Sequence, residues 1–272
     1  MRRWRLNSGY NGTTDQRRTK AGTISAPKHY IERNLGSFIS GFDVLGLAPR
    51  HWHRIATIEE STGNPVSTWT DSSGNNFSAT EATNRPTVAV QNGIRCLAFN
   101  GTQRLGLGNV MSTATAGFYI GLVRWSADPT SGTSTTSGMP YTSQTSGNPV
   151  FWSDGNIYEQ WGASSRPSFG NPTPNLTNWT IYQVENNGSA NGWVVRINGT
   201  VLSTQTASVS FSSSHEFGGM SGWRFNGNIA EIITFNRSVT QTERESLEGY
   251  LAWQYGVTSV LATNHPYKNS GP

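Results

Sequence analysis

Acidic side chains are the first residues to examine for catalysis, because two carboxylates can act as acid and nucleophile in glycoside hydrolysis. The motif Glu-x-Asp-x-Glu on one strand would place them together, since alternate strand residues share a face. Glu59 and Glu60 are adjacent and would point to opposite faces, while Glu243, Glu245 and Glu248 fall on a predicted helix, where we interpret them as a solvated face. No strand pattern carries the motif, so we predict that the protein is not an enzyme.

Histidine and serine patterns are the next candidates. His51 and His53 flank Trp52 at strand spacing, which fits either a two-histidine metal site or a pair of surface histidines; we favour the surface pair and predict no metal. His215 and His265 lie in segments whose sequence is typical of turns. Serine is abundant, but no Gly-x-Ser-x-Gly lies between a strand and a helix, which argues against a serine hydrolase.

Asp71, in the run Trp-Thr-Asp-Ser-Ser-Gly-Asn, has two interpretations. In a sequence of this kind, aspartate accepts hydrogen bonds from nearby backbone N–H groups and stabilises a turn. Carboxylate and amide oxygens are also suitable calcium ligands. We favour the turn and predict no cofactor, with calcium as the alternative.

A group of aromatic and polar side chains could bind carbohydrate, because sugar C–H faces stack on exposed rings. The candidate glycan contacts are Trp152, Asp154, Tyr158, Trp161 and Trp223. The competing interpretation, which we favour, is that these rings fill the core or a subunit interface.

The basic residues concentrate at the start of the chain. The protein has 272 residues and a net charge of +4, yet residues 1–33 hold eight basic and two acidic side chains, a charge of +6. This segment has little apolar periodicity, so it is either a frayed tail or an anchor that orders on a partner; we favour the anchor. Its predicted assembly residues are Arg2, Arg3, Trp4, Arg5, Tyr10, Arg17, Arg18, Lys20, Lys28, Tyr30 and Arg33. The remainder offers no basic groove or nucleic-acid motif, so we predict no nucleic-acid partner.

Composition and turn signals predict an all-β body. Charged residues make up 13% and aromatic residues 11%, with 30 glycines and a single cysteine, Cys96, which excludes an internal disulfide. Asn92-Gly93 and Asn198-Gly199 each separate two apolar runs, which is the strongest short-range signal for a β-hairpin. Residues 126–149 are predicted to be a long surface loop, and neither a signal peptide nor a membrane span is apparent.

One helix is predicted near the C-terminus. Thr240 and Glu243 fit a capping box, Leu247, Tyr250 and Leu251 follow at helical spacing, and Gly256 can close the helix.

Several segments resemble the laminin-G-like, concanavalin A-like jelly-roll domains. They are WTDSSGN (69–75), Arg85-Pro86, LAFNG (97–101), WVVRING (193–199), FNGNIAEII (225–233) and EGYLAW (248–253). Relatives carry Trp-Leu-Asp-Ala where this chain has Trp52-His53-Arg54-Ile55. The resemblance implies a jelly-roll sandwich with one C-terminal helix. We assign residues 1–44 to an extended arm and connector, 45–260 to the sandwich, and 261–272 to a tail.

The arm resembles leading segments of structural proteins of tailed bacteriophages, in Ser8–Gly12, Arg17–Thr19 and Lys28–Arg33. That resemblance implies a structural protein on the virion exterior, as a capsid decoration protein or part of a tail fibre or its adaptor. The implied partners are other virion proteins and copies of itself, as a homotrimer or similar closed oligomer, with host glycans possible. The chain would be made in the host cytoplasm and located in the virion, without membrane insertion. The alternatives are a lectin-like receptor-recognition module and a glycoside-active enzyme.

Overall fold

The computed structural model of the protein describes residues 42–129, 136–143, 149–211, 214–220 and 222–272, and the regular secondary structure of these ranges is mainly β-strand. In chain order the strands are β1 (His51–Arg54), β2 (Thr68–Trp69), β3 (Ala79–Thr80), β4 (Thr87–Gln91), β5 (Ile94–Asn100), β6 (Leu105–Gly108), β7 (Gly117–Trp125), β8 (Ser137–Gly138), β9 (Tyr141–Ser143), β10 (Val150–Phe151), β11 (Ile157–Tyr158), β12 (Ser168–Gly170), β13 (Thr180–Asn186), β14 (Trp193–Ile197), β15 (Thr200–Gln205), β16 (His215–Phe217), β17 (Gly219–Met220), β18 (Trp223–Arg224) and β19 (Asn226–Phe235). Helix α1 (Gln241–Gln254) follows, and 3-10 turns lie at Leu45–Leu47, Ile55–Thr57 and Thr258–Val260.

The strands form two layers. The large sheet has eight strands in the order β15-β14-β13-β7-β19-β5-β4, and β1 pairs with the second half of β19. The opposing layer contains a five-stranded sheet, β2-β3-β6-β16-β9, and a four-stranded sheet, β12-β11-β10-β8, while β17 and β18 form a separate hairpin. This is the all-β jelly-roll sandwich with one C-terminal helix that the sequence predicts; of the predicted arm and connector at residues 1–44, residues 1–41 lie outside the described residues.

Aromatic rings join the two layers. Tyr119 of the large sheet lies 5.3 Å, centroid to centroid, from Tyr141 of β9, and Trp125 lies 6.0 Å from Phe151 of β10. Both pairs are edge-to-face, the arrangement that the ring quadrupoles favour. The core therefore lies between the large sheet and the two smaller ones.

Both predicted hairpins are confirmed. Asn92 and Gly93 have φ angles of 50° and 80°, and Asn198 and Gly199 have 53° and 82°. Two consecutive left-handed residues match the right-handed twist of paired strands, and only asparagine and glycine adopt that geometry at little cost.

The capping box of α1 is also confirmed. The Glu243 N–H donates to the Thr240 Oγ1 at 3.2 Å, and the Thr240 N–H donates to the Glu243 carboxylate at 2.7 Å. Arg237 bonds the same carboxylate at 2.7 Å, and this contact is the main reason that the pKa of Glu243 falls to about 2. Leu247 and Leu251 are fully buried, so the helix packs its apolar face on the sheet as predicted.

The predicted surface loop at 126–149 is wrong in its central part. Strands β8 and β9 lie there, and Met139 and Tyr141 are buried. These two apolar residues lie in a sequence rich in serine and threonine. Their burial against the large sheet outweighs the preference of the surrounding residues for a loop. Residues 130–135 and 144–148 of the segment are outside the described residues.

One further sequence interpretation needs correction at the C-terminal end. Glu248 is not on a solvated face: it is 1% exposed and accepts hydrogen bonds from Gln183 at 2.8 Å and His265 at 2.9 Å. The segment 261–272 packs on α1, because Trp253 Nε1 donates to the Tyr267 carbonyl oxygen at 2.9 Å. No helix in the described ranges has the length and apolar character needed to cross a bilayer.

Asp71 organises the turn between β2 and β3. Its Oδ1 accepts from the Trp52 and Ser73 N–H groups at 2.9 and 2.8 Å, and its Oδ2 accepts from the Ser73 hydroxyl and the Phe77 N–H at 2.8 and 3.0 Å. Four hydrogen-bond donors therefore surround the two oxygens, which is the turn role that the sequence predicts. Trp69 beside it is buried and donates to the Arg54 carbonyl oxygen at 2.9 Å.

We expect Asp71→Ala to lower the free energy of unfolding by about 2–4 kcal/mol, because hydrogen bonds to a charged acceptor each contribute roughly 1.5–3 kcal/mol. Urea denaturation at pH 7 measures this. Ser73→Ala, which removes a single hydroxyl donor, should cost clearly less. A cost for Asp71→Ala no greater than that of Ser73→Ala would contradict the assignment.

Candidate functional site

The tight turn between β10 and β11 sets the position of the candidate site. The Trp152 N–H donates to the Asn156 carbonyl oxygen and the Gly155 N–H to the Trp152 carbonyl oxygen, both at 2.9 Å. Gly155 has a φ of 84°, a conformation that glycine adopts without strain. The turn therefore closes a short hairpin that carries Trp152 at its tip.

Trp152 and Tyr158 lie on the same outer face of this hairpin. Val150 pairs with Tyr158, and Trp152 is two residues beyond Val150, so strand alternation gives all three one orientation. Phe151, between them in sequence, points the other way and is buried in the core. Val150, on the same face, is completely buried, whereas Trp152 and Tyr158 are each partly exposed.

Trp223 comes to this face from the β17–β18 hairpin. Its indole centroid lies 4.9 Å from that of Trp152, with an angle of 57° between the ring planes. Gly138 of β8 permits the approach, because a Cβ atom there would collide with the Trp223 carbonyl oxygen. Trp223 is also half-buried, so the two indoles form an angled surface, which we name the aromatic platform (Trp152 and Trp223).

Polar groups border the aromatic platform. The Tyr158 hydroxyl donates to Asp154 Oδ2 at 2.8 Å, and the Asn156 N–H donates to Asp154 Oδ1 at 2.8 Å. Desolvation raises the pKa of Asp154, but these hydrogen bonds together outweigh it and hold the pKa below its ordinary value. The Arg166 guanidinium lies over the Tyr158 ring at 5.5 Å. Sequence reasoning missed Arg166, since only the fold brings its loop over β11.

Four of the five predicted glycan contacts thus lie together, and Trp161 does not. Trp161 is 1% exposed, and its ring packs on Tyr119 and Phe211 at 4.9 Å and on Tyr141 at 5.0 Å. Its indole is enclosed between the two layers, so the prediction that Trp161 contacts a glycan is wrong. The core interpretation holds for this residue.

Glu159, next to the site in sequence, is buried beneath it. Its carboxylate accepts from the Tyr182 hydroxyl at 2.9 Å and the Tyr119 hydroxyl at 3.1 Å. Desolvation raises its pKa to about 7, and the hydrogen bonds limit the rise. With 1% exposure, Glu159 is enclosed in the core, where it joins Tyr119 and Tyr182.

The histidines are placed differently from our expectation. His51, His53 and His215 are completely buried, because β1 turns Trp52 toward α1 and its two histidines toward the opposing layer. The surface interpretation of His51 and His53 is therefore wrong. Within the described ranges, no group of three histidine, cysteine or acidic residues is arranged to hold a metal ion.

A groove of about 530 Å³ lies between the β4–β5 hairpin and the end of α1. Trp179 and Tyr255 line it, but they are only 5% and 9% exposed. The groove therefore offers little aromatic surface to a ligand, and we place the candidate site at the aromatic platform.

Comparison with known proteins gives a likeness in fold. No protein-family model matches the chain, and no curated protein matches it. Among solved structures, a Trypanosoma rangeli sialidase in complex with sialic acid is similar with a TM-score of 0.53 and 14% identity, over 75% of this chain and 33% of the sialidase. The receptor binding domain of botulinum neurotoxin mosaic serotype C/D is similar with a TM-score of 0.52 and 12% identity, over 74% of this chain and 50% of that one. This chain thus spans about a third of the sialidase and half of the toxin domain, and the likeness defines its class as a β-sandwich of the jelly-roll type.

We expect Trp161→Ala to lower the free energy of unfolding by about 3–5 kcal/mol, the range for removing a large ring from a core. Trp152→Ala should cost about 1 kcal/mol or less, because its indole is partly exposed and outside the main core. Urea denaturation of both variants tests the division between core and platform. Equal costs would contradict it.

Proposed function

We propose that the sandwich is a carbohydrate-binding module whose ligand stacks on the aromatic platform. The observation that carries this proposal is the contact of two partly exposed indoles, Trp152 and Trp223, on an outer face of the smaller sheets. Partly exposed aromatic rings offer a large apolar surface with little side-chain freedom to lose on binding. The apolar face of a pyranose ring matches such a surface in size and chemistry.

Hydrogen-bonding groups beside the platform support the proposal. Asp154 keeps a pKa below its ordinary value, so it stays ionised at neutral pH and can accept from sugar hydroxyls. The Tyr158 hydroxyl and the Arg166 guanidinium lie on the same side of the hairpin. An apolar surface with a few fixed polar groups is the usual composition of a small-molecule site.

The solved structures of like fold are compatible with this proposal. One is a sialidase crystallised with sialic acid, and another is the receptor binding domain of a neurotoxin. Their fold alone is shared with this chain, so the proposal rests on the platform.

A glycan array followed by calorimetry on the strongest ligand tests the proposal. We expect Trp152→Ala and Trp223→Ala each to weaken binding about tenfold or more, a loss of about 1.4 kcal/mol. Trp152→Phe should bind with intermediate affinity because it keeps an aromatic face. Val201→Ala, at an exposed apolar position on the edge strand β15, is the matched control and should bind normally.

The proposal would be contradicted if the wild-type protein bound no glycan on a broad array. Normal binding by both Trp152→Ala and Trp223→Ala would also contradict it. Turnover of any polysaccharide by the wild-type protein would overturn the prediction that the protein is not an enzyme.

We propose, second, that the basic arm anchors the module in a tailed-phage virion, as a decoration protein or part of a tail fibre or adaptor. The charge of +6 in residues 1–33 supports this role, because clustered arginines can pair with carboxylates of a neighbouring subunit. The arm residues from Arg2 to Arg33 lie outside the described residues. The two proposals are compatible, since an anchored module can present its platform to host glycans.

Deletion of residues 1–34 should abolish incorporation into particles while leaving a soluble, folded sandwich. Particle composition by mass spectrometry and the circular dichroism of the truncated protein measure the two effects. Incorporation of the truncated protein at the wild-type level would contradict the anchor.

A further inference from the structure

Three imidazoles lie in the layer between the two sheets. His51 and His53 extend from β1 of the large sheet, and His215 extends from β16 of the opposing sheet. The rings of His51 and His53 are 5.2 Å apart, and Tyr141 lies between His51, at 5.3 Å, and His215, at 5.8 Å. We name this group the histidine cluster (His51, His53 and His215).

The histidine cluster is poorly provided with hydrogen bonds. His51 Nε2 and the Tyr141 hydroxyl are 2.6 Å apart and form a buried hydrogen bond across the layers. The other five ring nitrogens are buried without a side-chain partner, and only backbone groups approach them, those of Trp69 and Phe77 at His53 and that of Gly108 at His215. A neutral imidazole tolerates this environment, whereas an imidazolium would carry an unsolvated charge at a high cost in free energy.

Few charges nearby could compensate an imidazolium. Asp71 and the backbone at Trp69 and Phe77 favour the charged form of His53, and the backbone at Gly108 favours that of His215. Arg50 and the other two imidazoles oppose the charging of His51. The remaining neighbours are rings: Phe217 and Trp69 on His53, and Trp161, Phe211 and Tyr141 on His215.

We propose that the histidine cluster is an acid-sensitive lock between the two layers. Near neutral pH the uncharged rings pack β1 against β9 and β16, and mild acid favours opening of this contact, because the imidazoles bind protons once they leave the layer. The lock responds to acidity by itself and does not depend on the proposed ligand.

The direction of the effect follows from the pKa values. Burial lowers the pKa of His53 and of His215 to about 4 and also lowers that of His51, against about 6.5 in the unfolded chain. The unfolded chain therefore binds more protons between these values, and stability is full above pH 6.5 and falls as the pH drops toward 4. Glu159 has the opposite effect, because its raised pKa of about 7 favours the protonated, folded state in acid.

Urea denaturation at several pH values between 7 and 4.5 tests the lock. In this range, each histidine of the cluster should raise the equilibrium constant for unfolding by up to about tenfold for every unit by which the pH is lowered. His53→Phe and His215→Phe should each make the pH dependence shallower by up to that factor. Phe217→Leu, in the same layer, is the matched control: it should lower stability at every pH with an unchanged pH dependence.

The proposal is overturned if both histidine variants keep the wild-type pH dependence. If either variant does not fold, nuclear magnetic resonance of the wild-type protein tests the proposal independently, because it reports the protonation state of each imidazole. We expect three imidazole signals of the folded protein to stay neutral at pH 5.5, and their protonation in the folded state at that pH would also overturn the lock.

Discussion

Rings fill the space between the two layers of this sandwich, and most other features depend on how those rings pack. Tyr119, Tyr141, Trp161 and Phe217 are all buried there with the imidazoles of the histidine cluster. Flat side chains pack well only at defined angles, and their polar atoms need partners inside the core. The hydrogen bond between His51 and Tyr141 meets both needs, since it joins β1 of one layer to β9 of the other. The core is therefore specific in geometry as well as apolar.

The aromatic platform depends on that core through a single strand. Phe151 and Trp152 are consecutive, so alternation turns the first ring inward onto Trp125 and the second outward beside Trp223. A shift of β10 by one residue would exchange the two rings and bury the platform. The inward contact of Phe151 thus fixes the outward position of Trp152.

The buried carboxylates serve the fold in a similar way. Glu231 accepts from Trp52 Nε1 at 2.6 Å and from the Tyr255 hydroxyl at 2.7 Å, and this joins the large sheet to α1 and the residue that follows it. Glu159 accepts from two tyrosines, and Glu248 lies between Gln183 and His265. Each carboxylate is supplied with donors by its own neighbours, which a buried acid requires. The prediction that the protein has neither cofactor nor catalytic activity stays a prediction.

The elements that could be predicted from the sequence are those that local chemistry controls. The two Asn-Gly hairpins, the capping box at Thr240 and Glu243, and the turn at Asp71 each depend on residues within a few positions of one another, so their patterns are readable without the fold. The all-β class and the jelly-roll arrangement followed from composition, turns and the resemblance. Tertiary structure alone decided which rings are buried: Trp152 and Trp161 have similar sequence surroundings, yet one lies on the outer face and the other in the core. Tertiary structure also placed His51 and His53 in the interior and Arg166 over Tyr158. Strand alternation gives every strand two faces, but only the packing of the layers determines which face is covered.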